Sequence, residues 1–285
     1  MLFSFSMFSD LLAREFPDGP QSVFYGEHPE ELHIQSVYRF EERRMFSPSH
    51  LYVLTQEEWN ALQRSTEEAD ATGLAGSGSK ALADFSFLVC ANDEAAASVT
   101  AFLREKEDVF NLWDEHLVQS LLSSDNVQEQ MDLAFCYFSH PIALFDTSYS
   151  LIAWTGPMPD HVEDPIWSLV LTNRFSSVEV LPREFLRAYP KLQSSTKPLV
   201  FPPLGEPAGN RILMSILRQE GVPFAIMATT EVMAPITAGD LSLLTHIQGR
   251  LQQSRAIRKL ISMKAAAGSS FRCCKASRFS STSTW

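Results

Sequence analysis

Seven histidines are the residues here best suited to holding a metal or moving a proton, and their placement argues against both. His28 and His33 flank a Pro-Glu-Glu turn, and His50 precedes an apolar run. His116 and His246 fall on amphipathic segments, while His140 and His161 border loops. A zinc site asks for ligands at short fixed spacings such as HExxH or CxxC, and neither pattern occurs. Cys90 and Cys136 sit among apolar neighbours and read as buried thiols, whereas Cys273 and Cys274 are adjacent, without the spacing of a metal knuckle or a redox pair. No GxSxG nucleophile elbow is present, and Gly73, Gly76 and Gly78 neither follow a strand nor lead into GK[ST], so they read as loop rather than phosphate cradle. Asp164 is the right type for a catalytic carboxylate, but its place before Pro165 is that of a helix cap. The residues therefore predict no catalytic group, no metal ligand, no cofactor and no enzyme.

Composition sets the frame for what must position any site. The chain has 285 residues, enough for two ordinary domains, with 45% hydrophobic and 20% charged residues. A net charge of −11 opposes non-specific nucleic-acid binding, which needs clustered Lys and Arg. From Lys259 onward there are basic residues and no acidic ones, which leaves roughly −16 on the rest of the chain. The amino terminus lacks a basic n-region, and Asp10 interrupts its apolar run. No stretch approaches the length of a membrane span, so the expectation is a cytoplasmic protein with no membrane partner.

The elements follow from periodicity and punctuation. Phe5 to Phe16 has helical spacing, Leu32 to Phe40 and Leu51 to Leu54 are strand-forming, and Thr55 with Glu58 makes a capping box for a helix from Gln56 to Gln63. Glu67 to Ser79 reads as an exposed loop, and Phe85 to Cys90 as a buried strand. From Ala95 to Leu122 one broad apolar stripe runs through Val99, Leu103, Phe110, Trp113, Leu117 and Leu121. Either intramolecular packing or a homodimer partner must cover it. After a break at Ser123 to Asn126, a helix from Val127 to Phe138 precedes His140 to Gly156, HPIALFDTSYSLIAWTG, which reads as a two-strand hairpin. Helices starting at Asp164-Pro165 and at Pro182 follow, then the PLVF strand and a hairpin of Arg211 to Leu217 with Val222 to Thr229. A closing helix from Leu241 to Ile261 carries Leu241, Leu244, Ile247, Leu251 and Ile257 on one face and offers a second homodimer surface.

The fold class expected is thus α+β with α/β character. It comprises a small N-terminal α/β domain over residues 1–94, a connecting helix over 95–125, a GAF-like antiparallel sheet flanked by helices over 126–261, and a basic, serine-rich tail over 262–285. The segments NVQEQMDLAFCYFSHPIALFDTSYSLIAWTG, VEDPIWSLVL, KPLVFPP and RILMSILRQEGVPFAIMATTEVMAPITAGDLSLL, in that order, resemble the sensory region of PucR/CdaR-type bacterial transcription regulators. HIQSVYRF, LYVLT and FSFLVC are similar to the amino-terminal domain of many members, so the resemblance spans roughly Leu32 to Lys259.

The resemblance implies a non-enzymatic sensory and dimerising region. A small-molecule effector would sit between the sheet and its helices, and Trp154, Trp167 and Arg174 are the candidate ligand-binding residues. Read without the resemblance, the two tryptophans are core or rim aromatics and the arginine is a solvated charge. Family members continue into a helix-turn-helix that reads DNA. Met263 to Trp285, MKAAAGSSFRCCKASRFSSTSTW, has no helical periodicity and reads as a terminated or frame-shifted tail, so DNA binding is expected only of a form carrying that module. The remaining alternative is a stand-alone GAF-like module that binds a small molecule and acts through protein partners.

Overall fold

A computed structural model describes residues 1–17, 19–24, 28–40, 46–71, 85–156, 190–202, 210–231 and 234–263. The helices expected at Asp164 and Pro182, most of the 67–79 loop and nearly all of the tail lie outside the described residues. The chain divides into two compact units, residues 1–116 with 236–246, and residues 117–235 with 247–285.

The first unit opens with α1, Phe5–Glu15, whose first turn is capped by the Ser4 hydroxyl accepting from the Met7 N–H. Its sheet contains β1 (Gln21–Phe24), β2 (Ser36–Arg39), β3 (His50–Thr55) and β4 (Ser86–Cys90) in the order β1-β4-β3-β2. β2, β3 and β4 run parallel, and β1 joins the edge antiparallel. Strands covered on both faces need apolar residues at every position, and all five residues of β4 and Leu51 to Thr55 of β3 are buried.

The crossover between β3 and β4 holds α2, Gln56–Ala71. It extends past the expected end at Gln63 and takes in Glu67 to Ala71, which the sequence assigns to a loop; Glu and Ala continue a helix readily once it is nucleated. Trp59 on α2 packs with Tyr52, Leu54, Phe87 and Val89 in one buried cluster. Burying each such side chain is worth about 1.5–3 kcal/mol.

The long helix α3, Asp93–Ser123, contributes residues 93–116 to the first unit and its last turns to the second. Val99, Leu103, Phe110, Trp113, Leu117 and Leu121 are buried within the chain, so intramolecular packing covers the stripe. Glu107 accepts from the Ser36 hydroxyl and the Val37 N–H, and Arg104 donates to the Val37 carbonyl. Helix side chains thereby satisfy backbone groups of the outermost strand, β2.

In the second unit, α4 (Val127–Ala134) is capped by Asn126, which accepts from the Gln128 and Glu129 N–H groups. The antiparallel sheet is built from β5 (Ile142–Asp146), β6 (Leu151–Thr155), β7 (Leu199–Phe201), β8 (Ile212–Gln219) and β9 (Val222–Thr230) in the order β6-β5-β9-β8-β7. The opening strand therefore lies between its hairpin partner and the last of the described strands. Asp146 closes the first hairpin, its Oδ1 accepting from the Ser148 N–H, the Ser148 hydroxyl and the Ser150 N–H. Between β8 and β9 the turn residues Glu220 and Gly221 have φ of 52° and 82°, the left-handed pair that matches strand twist.

Two expectations are corrected here. The closing helix does not run unbroken to Ile261: α5 is Ala238–Leu251, and after a break a second helix covers residues 255–263. Ser254 explains the break, because its hydroxyl caps the Ile257 N–H and donates to Gln130 Oε1, while Gln130 Nε2 donates to the carbonyls of Ser120 and Ser124. The other correction concerns Cys136, which is exposed while Cys90 is buried. α4 ends at Ala134, and in the turn that follows Phe135 and Phe138 go inward and leave Cys136 and Tyr137 outside.

Candidate functional site: a crevice at the strand ends of the first unit

β3 and β4 are adjacent and parallel, with Thr55 opposite Cys90 at their carboxyl ends. Parallel strands linked by helices leave a crevice at that edge, because each chain turns there from strand into helix. Thr55 turns directly into α2 through a capping box: the Glu58 N–H donates to Thr55 Oγ1 at 3.2 Å, and the Thr55 N–H to Glu58 Oε2 at 2.6 Å. Asn92 caps α3 by a single bond, its Oδ1 accepting from the Ala95 N–H at 2.9 Å.

One guanidinium ties these turns together. Arg39, the last residue of β2, donates to Glu58 Oε2 at 2.7 Å, to Asp93 Oδ1 at 2.8 Å and to the Val53 carbonyl at 3.0 Å. Burial works to raise the pKa of Glu58, but hydrogen bonds from Arg39 and from Thr55 outweigh it and hold the carboxyl below its ordinary value.

A cavity of about 690 Å³ opens between the end of α1, the end of β4 and the starts of α2 and α3. That volume lies within the range of small-molecule sites. Phe16, Pro17, Pro20, Val89, Cys90 and Val99 give it apolar walls. Its polar groups are Glu15, Gln56, Asn92, Glu94 and Ser98. Burial pushes the Cys90 thiol up to about 11, partly opposed by the Arg39 charge, so at neutral pH the sulfur is protonated and is not a nucleophile. The cavity is of a size to take up a small ligand.

Of the three ligand candidates named from sequence, Trp154 alone falls among the described residues. It stands on β6, opposite Ala143, with 38% of its surface exposed, and its carbonyl accepts from the Gln128 side chain at 2.7 Å. Trp167 and Arg174 lie outside the described residues, as does Asp164. Among the described histidines, His140 is fully buried beside the Phe138 ring, and His246 pairs with Asp114 at 2.7 Å in the first unit. Among the described residues, no three His, Cys, Asp or Glu side chains are grouped so as to hold a metal ion. The crevice itself is composed of residues from 15 to 99, and its only sequence signal is two buried strands, LYVLT and FSFLVC, each passing straight into a capped helix.

Compared with known proteins, the chain matches no family model and no curated sequence. Among the described residues, no helix is long and apolar enough to cross a membrane.

Proposed function

We propose that this chain is the sensory region of a transcription regulator of the PucR/CdaR type, with a GAF-like second unit that responds to a small-molecule effector. The observation that carries the reading is the second unit's antiparallel sheet, which opens on the HPIALFDTSYSLIAWTG hairpin and inserts its last strand beside its first. That arrangement, with α4 before it and α5 after it, agrees with the element order from which the resemblance was drawn. The mixed, partly parallel sheet of the first unit agrees with the amino-terminal domain that many family members carry.

In this reading the effector stabilises one of two arrangements of the second unit, and the helices after β9 pass the difference to a DNA-reading module. The chain binds and relays; it catalyses nothing. The sequence Trp154, Trp167 and Arg174 remains the proposed effector-binding set in that unit.

The test uses the native protein in its own cells. In cells that make a form carrying the helix-turn-helix, formaldehyde crosslinking followed by immunoprecipitation with antibodies against residues 1–263 is expected to enrich discrete promoter fragments. Recovery of DNA at the level of a mock precipitation defeats the regulator reading and leaves that of a small-molecule module acting through protein partners.

A further inference from the structure

The cavity of the first unit is not accounted for by an effector site in the second, and its chemistry has a sign. We propose that it is a binding site for a small organic cation, an ammonium or amidinium head on an apolar, ring-sized body. The inference does not depend on the regulator reading, since every residue involved belongs to the first unit.

The body follows from the walls. Val89, Cys90 and Val99 are buried at 3%, 2% and 2% exposure, and they line the cavity together with Phe16, Pro17 and Pro20. A surface of this kind gains by covering apolar area, and about 690 Å³ accommodates a ring with a short chain.

The head follows from the charges. Glu15 and Glu94 both line the cavity, both are exposed, and neither has an ion-pair partner among the described residues. Among the described residues no Lys, Arg or His lines it, and Arg39, which the structure ties to this edge, is held by Glu58 and Asp93. Glu15 also ends α1, where the helix dipole adds negative potential. The start of α3 would on its own favour an anion, but its first turn already carries Asp93 and Glu94, and Asn92 has taken the Ala95 N–H. A carboxylate or phosphate entering here would meet two uncommitted carboxylates; an ammonium would neutralise them. The neutral amides fit the same picture, since Gln56 Nε2 donates to Asn60 and leaves its own carbonyl oxygen to accept.

The test pairs two probes of nearly equal size and opposite charge, 2-phenylethylammonium and 3-phenylpropanoate, titrated into the full chain and followed by calorimetry and by amide NMR shifts. The ammonium is expected to bind and to move the signals of Val89, Cys90, Ala95 and Val99, and the carboxylate to bind at least roughly fivefold more weakly. The double substitution Glu15→Gln with Glu94→Gln, at exposed positions that leave the fold alone, should weaken the ammonium by roughly fivefold and erase the preference. Ser98→Trp should block both probes by filling the cavity. No binding of the ammonium, equal binding of the two probes, indifference to the double substitution, or shifts confined to residues outside the cavity would each overturn the proposal.

Discussion

Glu58 concentrates several terms of the first unit's stability on one oxygen. Its Oε2 accepts from the Thr55 N–H at 2.6 Å, the Thr55 hydroxyl at 3.0 Å and Arg39 Nη1 at 2.7 Å, while its side chain is 18% and that of Arg39 13% exposed. Replacing it with Gln keeps the size and removes the charge. Glutamine still closes the capping box, but through a neutral instead of a charged oxygen, which weakens the bonds from Thr55 by about 0.5 kcal/mol. Weakening the charge-assisted bond to Arg39 adds about 1 kcal/mol more, discounted because Arg39 keeps Asp93 and the Val53 carbonyl. The expected loss is therefore about 1.5 kcal/mol at pH 7.

The pH dependence gives the sharper check. The folded-state pKa of Glu58 is lowered from an ordinary 4.5, so its contribution is fully present above that value. It is lost as pH falls through the lower, folded-state value. Urea unfolding read by hydrogen exchange of the peptide spanning residues 51–66 should show the gap between the native chain and Glu58→Gln wide at pH 7, narrowing below pH 4.5 and closing in stronger acid. A gap that stays constant from pH 7 into acid, or none at pH 7, would refute the reasoning.

Three further outcomes follow from local geometry. Gly156 has φ of +103°, and a Cβ there would stand 2.8 Å from the His140 carbonyl oxygen, so Gly156→Ala should destabilise the second unit by about 1–3 kcal/mol in equilibrium unfolding. Glu220 occupies a left-handed position in the β8–β9 turn, so Glu220→Asn should raise stability by about 0.5–1 kcal/mol, seen as a higher denaturant midpoint at unchanged slope. Iodoacetamide at pH 8, mapped by peptide mass, should label exposed Cys136 well before buried Cys90, although burial raises the pKa of both thiols.

What could be read from the sequence was what local chemistry decides. The Thr55 and Glu58 capping box, the Asp146 turn and the five-residue strands β4 and β5 are each specified by residues a few positions apart, and each is where its pattern puts it. The break at residues 252–254 was hidden because Gln252, Gln253 and Ser254 include no glycine or proline to mark it; the Ser254 hydroxyl finds its partner in Gln130, far back in the chain. Cys136 misled for a related reason: its apolar neighbours argue for burial only while the helix continues, and the helix has already ended. The cavity was invisible because no local pattern encodes it. Its walls come from the end of one helix, the end of one strand and the starts of two more helices, brought together by strand order alone.

The regulator reading meets its most direct test in the gene itself, read beyond the codon for Ile261 in all three frames. The account predicts that one frame encodes two amphipathic helices joined by a short turn, the DNA-reading module to which the second unit's helices would report. Three frames with no such helix pair would contradict it.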